Sequence, residues 1–160
     1  MGGKASRDKG SRRERELVAE LIDRHQWRDV FRVPLSGAMQ GYKGDVIGRP
    51  PGMGTQWVLE AKARKGTFMR VYHLVNKHRI FDRGSFSFST PEGDCVIMSY
   101  NPNELIKIAS CYIFPPVSAF EDKKDRAVLK YISARREWLG EADLLALKGD
   151  REPWLFVRYF

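Results

Sequence analysis

The sequence predicts a mixed α/β domain, with a central sheet flanked by helices. Short apolar runs with strand-like alternation recur between glycine- and proline-rich breaks. Longer stretches repeat apolar residues at helical spacing, and the elements follow the order α-β-β-β-α-β-β, then α-α-β. A length of 160 residues, with 42% hydrophobic and 30% charged side chains, suits one domain with a real core rather than a disordered chain.

Taken in order, residues 1–10 read as a flexible basic arm. A helix follows from Arg12 to His25, carried by Leu17, Val18, Leu21 and Ile22, with Ser11 and Glu14 spaced as a capping box. Val30 to Val33 reads as a strand stopped by Pro34, SGAMQGYKG as a loop, GDVIG as a short strand and TQWVLEAKA as a third. A helix is predicted from Tyr72 to Arg83, closed by Gly84. Strands are predicted over Asp94–Tyr100 and Leu105–Ile113. Ser118 and Glu121 repeat the capping pattern before a helix that reaches Trp138 and stops at Gly140. A short helix over Glu141–Lys148 and a final strand in PWLFVRYF complete the chain.

The formal net charge of +8 is concentrated in two places. Residues 1–15 hold six basic and two acidic side chains, and residues 62–83 hold seven basic and one acidic. Clustered positive charge points to a polyanion, nucleic acid first, while a merely soluble basic surface is the plainer reading of the same charge. Cys95 and Cys111 lack CxxC spacing and read as reduced thiols of a cytosolic protein. No apolar run approaches the ~20 residues of a membrane span. No GxxxxGK[ST] loop is present, so no nucleotide cofactor is expected. His25, His73 and His78 have no ligand spacing, and the four tryptophans read as core or interface.

The chemistry gathers around WVLEAKARKG, residues 57–66. On a strand, Trp57, Leu59 and Ala61 share one face, and Val58, Glu60, Lys62 and Arg64 the other, with Glu60 and Lys62 roughly 6.5–7 Å apart. An isolated buried ion costs several kcal/mol, so the two charges need partners. Either they form a salt bridge, the simpler reading of the pair alone, or the carboxylate takes a divalent cation and the ammonium faces a phosphate. Asp45, in KGDVIG, tips the balance. An aspartate opening a short strand beside the one bearing Glu60 sets two carboxylates close together, and like charges so placed call for a cation. Hard oxygen donors of this kind suit Mg²⁺. Glu14 is a third acid. At about 100° per residue it lies on the stripe of Leu17, Val18 and Leu21, where it either closes the capping box or reaches toward the same metal.

Together KGSRRERELV, FRVPLSG, GDVIG and LEAKARKG, four blocks in order between residues 9 and 65, resemble the archaeal-type Holliday junction resolvases of the PD-(D/E)xK nuclease superfamily. The resemblance implies a restriction-endonuclease-like fold and a single nuclease domain over residues 1–160, with an arm at 1–10, a core at 11–114 and a C-terminal addition at 118–160. It implies that Glu14, Asp45 and Glu60, with the backbone carbonyl of Ala61, bind Mg²⁺ (Mn²⁺ substituting). Lys62 corresponds to the catalytic lysine, Ser36 to a serine near the scissile region and Arg32 to a basic residue before that loop. Gly44 stands where the family often has proline, and His73 or a neighbour where it tends to carry glutamine.

The implied activity is metal-dependent hydrolysis that resolves four-way DNA junctions by paired symmetric nicks, leaving 5′-phosphates. Paired nicks call for a homodimer. DNA contacts are expected from Lys4, Arg7, Lys9, Arg12 and Arg13, and from Arg32, Arg64, Lys65, Arg70, Lys77 and Arg79. The setting is cytoplasmic, that of the host for a virus-encoded chain. The alternatives are another DNA nuclease of this superfamily, of restriction or repair type, and a non-catalytic DNA-binding protein of the same fold.

Overall fold

The computed structural model describes residues 3–34, 43–66, 68–77, 86–89, 95–108 and 115–159. The helices are α1 (Gly3–Asp23), α2 (Met69–Lys77), α3 (Pro102–Ile108) and α4 (Lys123–Ser133). The strands are β1 (Arg28–Arg32), β2 (Val46–Arg49), β3 (Trp57–Ala63), β4 (Phe86–Ser89), β5 (Cys95–Ser99), β6 (Leu144–Lys148) and β7 (Leu155–Tyr159). They form one mixed sheet in the order β1-β2-β3-β6-β7-β5-β4. β3 and β6 run parallel, with Leu59 opposite Leu144, and the remaining neighbours are antiparallel.

Alternation along the central strands builds two apolar layers, one on each face. Leu145 and Leu147 of β6 pack with Val71, Leu74 and Val75 of α2 and Leu129 and Ile132 of α4. Leu144 and Ala146 face the other way, into a layer with Leu17 and Leu21 of α1 and Leu105 of α3. Tyr72 locks α2 onto the β6–β7 turn. Its buried hydroxyl lies 2.9 Å from the Pro153 carbonyl and 3.1 Å from that of Leu147, and accepts the N–H of Gly149 at 3.2 Å.

Several expectations are corrected. Residues 3–10 are not a loose arm but the first turns of α1. No proline interrupts that stretch, and Gly10, the one glycine inside the helix rather than at its end, costs only about 1 kcal/mol. Ser11 is therefore mid-helix and no cap, its hydroxyl accepting from Arg15 Nη1 at 3.1 Å. The strand predicted at Leu105–Ile113 is helix α3 over its described part. Pro102 occupies the first helical position, and the Asn101 side chain accepts the N–H of Asn103 at 3.0 Å, a helix start that the apolar run concealed.

The helix predicted over Glu141–Lys148 is strand β6. Its LLAL run is apolar on both sides because the strand is covered on both faces, as parallel strands are. β6 and β7 thus occupy the middle of the sheet, so residues 118–160 complete the fold rather than append to it. The helix predicted to reach Trp138 ends at Ser133, and a 3-10 turn, Arg136–Trp138, follows. Its cap is Asp122, whose side chain accepts the N–H of Lys124 at 2.7 Å, and Ser118 lies upstream in another 3-10 turn. β4 falls where no element was predicted, and the predicted end of α2 lies outside the described residues.

Candidate active site

Asp45 sits just before β2, where the ladder to β3 turns irregular. Its N–H donates to the Leu59 carbonyl at 2.8 Å, its own carbonyl accepts the N–H of Val33 at 2.9 Å, and its carboxylate Oδ2 accepts the N–H of Ala61 at 2.8 Å. Bonds to Val33 and Leu59 therefore fix the main chain of Asp45, and the Ala61 N–H holds its carboxylate. Within a strand the N–H and C=O of a residue leave by the same edge, so the Ala61 carbonyl also faces the edge where Asp45 stands.

Gly44 makes this placement possible. Its φ is +111°, and a Cβ there would meet Cγ1 of Val58 at 2.4 Å. Proline, locked near −65°, does not fit this backbone, which accounts for the departure from the usual pattern.

Glu60 and Lys62 lie on the face that carries Val58, and Lys62 Nζ donates to Glu60 Oε1 at 2.7 Å. Glu14 approaches from α1, and both Nε and Nη2 of Arg32 donate to its Oε2, at 2.8 and 2.6 Å. The Asp45 pKa is raised to about 6, chiefly by burial and against the opposing Ala61 N–H bond. The nearby charges of Glu60 and Glu14 contribute to the rise, and the Lys62 ammonium opposes it. Asp45 thus interacts electrostatically with all three of the other predicted groups.

Convergence is nonetheless incomplete. Among the described residues no three His, Cys, Asp or Glu side chains stand together as a ligand cluster. Glu14 turns to Arg32 and Glu60 to Lys62, each acid held by a neighbouring cation. The donor chemistry still fits a divalent ion. The carboxylates are hard oxygens, and a cation would offset both the burial and the like charge that raise the Asp45 pKa.

The basic residues divide into two groups. Arg12 pairs with Glu16 at 3.6 Å, Arg13 with Glu16 and Asp150 at 2.6 and 3.4 Å, and Lys77 with Asp125 and Asp122 at 2.8 and 3.3 Å. With Arg32, they are engaged by carboxylates, and Arg13 and Lys77 chiefly tie elements together. Arg7, Lys9, Arg64, Lys65 and Arg70 are exposed. Lys4 falls on α1, while Ser36 and Arg79 lie outside the described residues. His73 is on the exposed side of α2. Composition and spacing did not single out the Arg32–Glu14 pair or the Lys43–Glu141 contact at 2.5 Å. Both join residues too far apart in sequence for either to signal.

Residues 5–110, from α1 through α3, match the family model for archaeal Holliday junction resolvases. The chain belongs to that family. It is a Holliday junction resolvase or a nuclease of that family, with the PD-(D/E)xK fold and with branched DNA as the partner that membership implies. Resolvases of this family are generally dependent on a divalent metal. No curated protein and no solved structure gives a match. No helix among the described residues is long and apolar enough to cross a membrane.

Proposed function

We propose that this resolvase-family chain is a structure-selective endonuclease that resolves four-way DNA junctions by paired symmetric nicks, leaving 5′-phosphate ends. The observation that carries the reading is Asp45, fixed by the Ala61 N–H yet pushed to a pKa of about 6 by burial and by two nearby acids. Such a carboxylate has lost part of its water, and Lys62, already paired with Glu60, offsets little of its charge. That suits a ligand for a cation that arrives from solution.

Asp45, Glu60 and the Ala61 carbonyl would hold Mg²⁺, or Mn²⁺ in its place, with Glu14 joining from α1. When bound, the ion would lower the pKa of an attacking water and offset charge at the scissile phosphate. Lys62 supplies a cation on the same strand face as Glu60, where it orients the water and stabilises charge that develops on the phosphoryl oxygens. Arg32 neutralises Glu14 in the metal-free protein and would yield it to the ion. Ser36 acts beside the scissile region, and Lys4, Arg7, Lys9, Lys65, Arg70 and Arg79 add phosphate contacts. Contacts of this kind position DNA without reading its sequence, so recognition is by branched shape. Two symmetric nicks require two such sites, hence a two-fold homodimer, working where cytoplasmic DNA is accessible.

The test is a comparison of labelled substrates. Paired symmetric nicks confined to a four-way junction, absent from a Y-fork and a plain duplex, are the expected result. Cleavage of the plain duplex at a fixed sequence would move the assignment to another nuclease of the same fold, and binding without cleavage to a non-catalytic DNA-binding protein.

A further inference from the structure

The C-terminal part of the chain builds a second cluster of charge beside the candidate site. Arg64, one residue beyond β3, places its guanidinium 5.0 Å from the centre of the Trp138 ring. Arg135 lies 4.9 Å over Tyr131 and 5.7 Å over Trp138. The two rings meet edge-on at 6.4 Å, and Phe68 props Trp138 from behind at 6.3 Å. Trp138 packs on the apolar layer that includes Val58, so the cluster stands on the same face of the sheet as Glu60 and Lys62.

These guanidiniums differ from the other basic groups near the site. Among the described residues no carboxylate pairs with Arg64 or Arg135, whereas Lys62, Arg32, Arg13 and Lys77 all have acidic partners. Glu137, exposed on the same 3-10 turn, pairs with neither. A guanidinium stacked on a ring is held through its flat face, which leaves the N–H groups at its edge for an anion and matches the fork geometry of a phosphate. Tyr131 remains 37% exposed, so the platform is open to solvent.

We propose that Arg135 and Arg64, stacked on Tyr131 and Trp138, form a second phosphate-binding subsite that holds the backbone of a DNA arm leading away from the scissile phosphate. The proposal rests on the nuclease reading above and extends it to residues 131–138, which lie beyond the family match. Arg64 follows Lys62 by about 7 Å along the strand, and phosphates of one DNA strand advance about 3.4 Å each along the helix axis. One backbone can therefore pass from Lys62 to Arg64 within a few nucleotides and reach Arg135 next.

The experiment measures binding of a labelled four-way junction in EDTA, as log K against log salt, for the wild type, Arg135→Gln, Arg64→Gln and Lys123→Gln. Lys123, at the exposed start of α4, controls for loss of charge alone. Arg135→Gln and Arg64→Gln are each expected to weaken binding several-fold and to flatten the slope by about one, whereas Lys123→Gln keeps the wild-type slope. Thermal melts of the same variants confirm that each is folded, and Arg64→Gln carries the test alone if Arg135→Gln is not. Wild-type affinity and slope in both arginine variants would overturn the subsite, as would an equal loss in Lys123→Gln. Junction cleavage by the wild type with Mg²⁺, alongside such a negative result, would leave the nuclease reading standing, and absence of both binding and cleavage would remove both.

Discussion

The N–H of Ala61 donates to Oδ2 of Asp45 at 2.8 Å, so a side chain takes the place of a backbone partner on β3. The same carboxylate is half-buried, and burial with two nearby acids lifts its pKa from 3.8 to about 6.

A raised carboxylate pKa means that the folded protein holds this proton more tightly than the unfolded chain does. The stability that Asp45 contributes is fully present below pH ~4 and is lost as pH rises through ~6. Above that range, metal-free protein bears a half-buried charge that Ala61 and Lys62 only partly offset, at a cost of about 3 kcal/mol at most. Asp45→Asn keeps an acceptor for Ala61 and removes the charge. In EDTA at pH 7.5 it is expected to melt at a higher temperature than the wild type, with the difference vanishing near pH 4. A lower melting temperature at pH 7.5 would show that the carboxylate is satisfied without a cation.

Gly44 controls the same carboxylate from one residue away. Its φ of +111° and the 2.4 Å approach of a Cβ to Val58 leave no room for a side chain. Gly44→Ala is expected to cost about 2–3 kcal/mol through backbone strain and displacement of Val58. Denaturant melts should show Gly44→Ala combined with Val58→Ala costing less than the two changes summed, because the second removes the obstacle the first creates.

Tyr72 bridges α2 to the turn between the two central strands. Tyr72→Phe leaves the Gly149 N–H and the Pro153 and Leu147 carbonyls without this hydroxyl, in a buried place. A loss of about 1–3 kcal/mol in urea unfolding is the expected outcome.

With Glu14 in the proposed ligand set, Arg32 and a divalent ion would compete for it. Arg32→Ala is expected to destabilise metal-free protein, since it leaves a partly buried carboxylate alone, and to strengthen Mn²⁺ binding measured in the absence of DNA. Unchanged Mn²⁺ affinity in Arg32→Ala would take Glu14 out of the ligand set.

The local geometry of β3 and of Gly44 was legible in the sequence, whereas several elements around them were not. Alternation in WVLEAKA placed Glu60 and Lys62 on the face opposite Leu59, and GDVIG marked the bend at Gly44, because both signals are local. The 3.6-residue period located the buried stripe of α1 at Leu17 and Leu21. Its start was misplaced because Ser11 and Glu14 mimic a cap that an uninterrupted helix does not use. LLALK reads equally well as helix or strand, and only its pairing with β3, more than eighty residues earlier in the chain, decides for a strand. The partners of Glu14 and Glu60 were legible only as charges; which cation each acid holds depends on how the elements meet.

The most direct test of the central claim is Mn²⁺ binding at pH 7.5, followed by electron paramagnetic resonance, in the wild type beside Asp45→Asn. Saturable binding by the wild type, weakened by an order of magnitude or more in Asp45→Asn, is what a metal centre at the β2–β3 edge predicts. Equal Mn²⁺ affinity in the two proteins would contradict it.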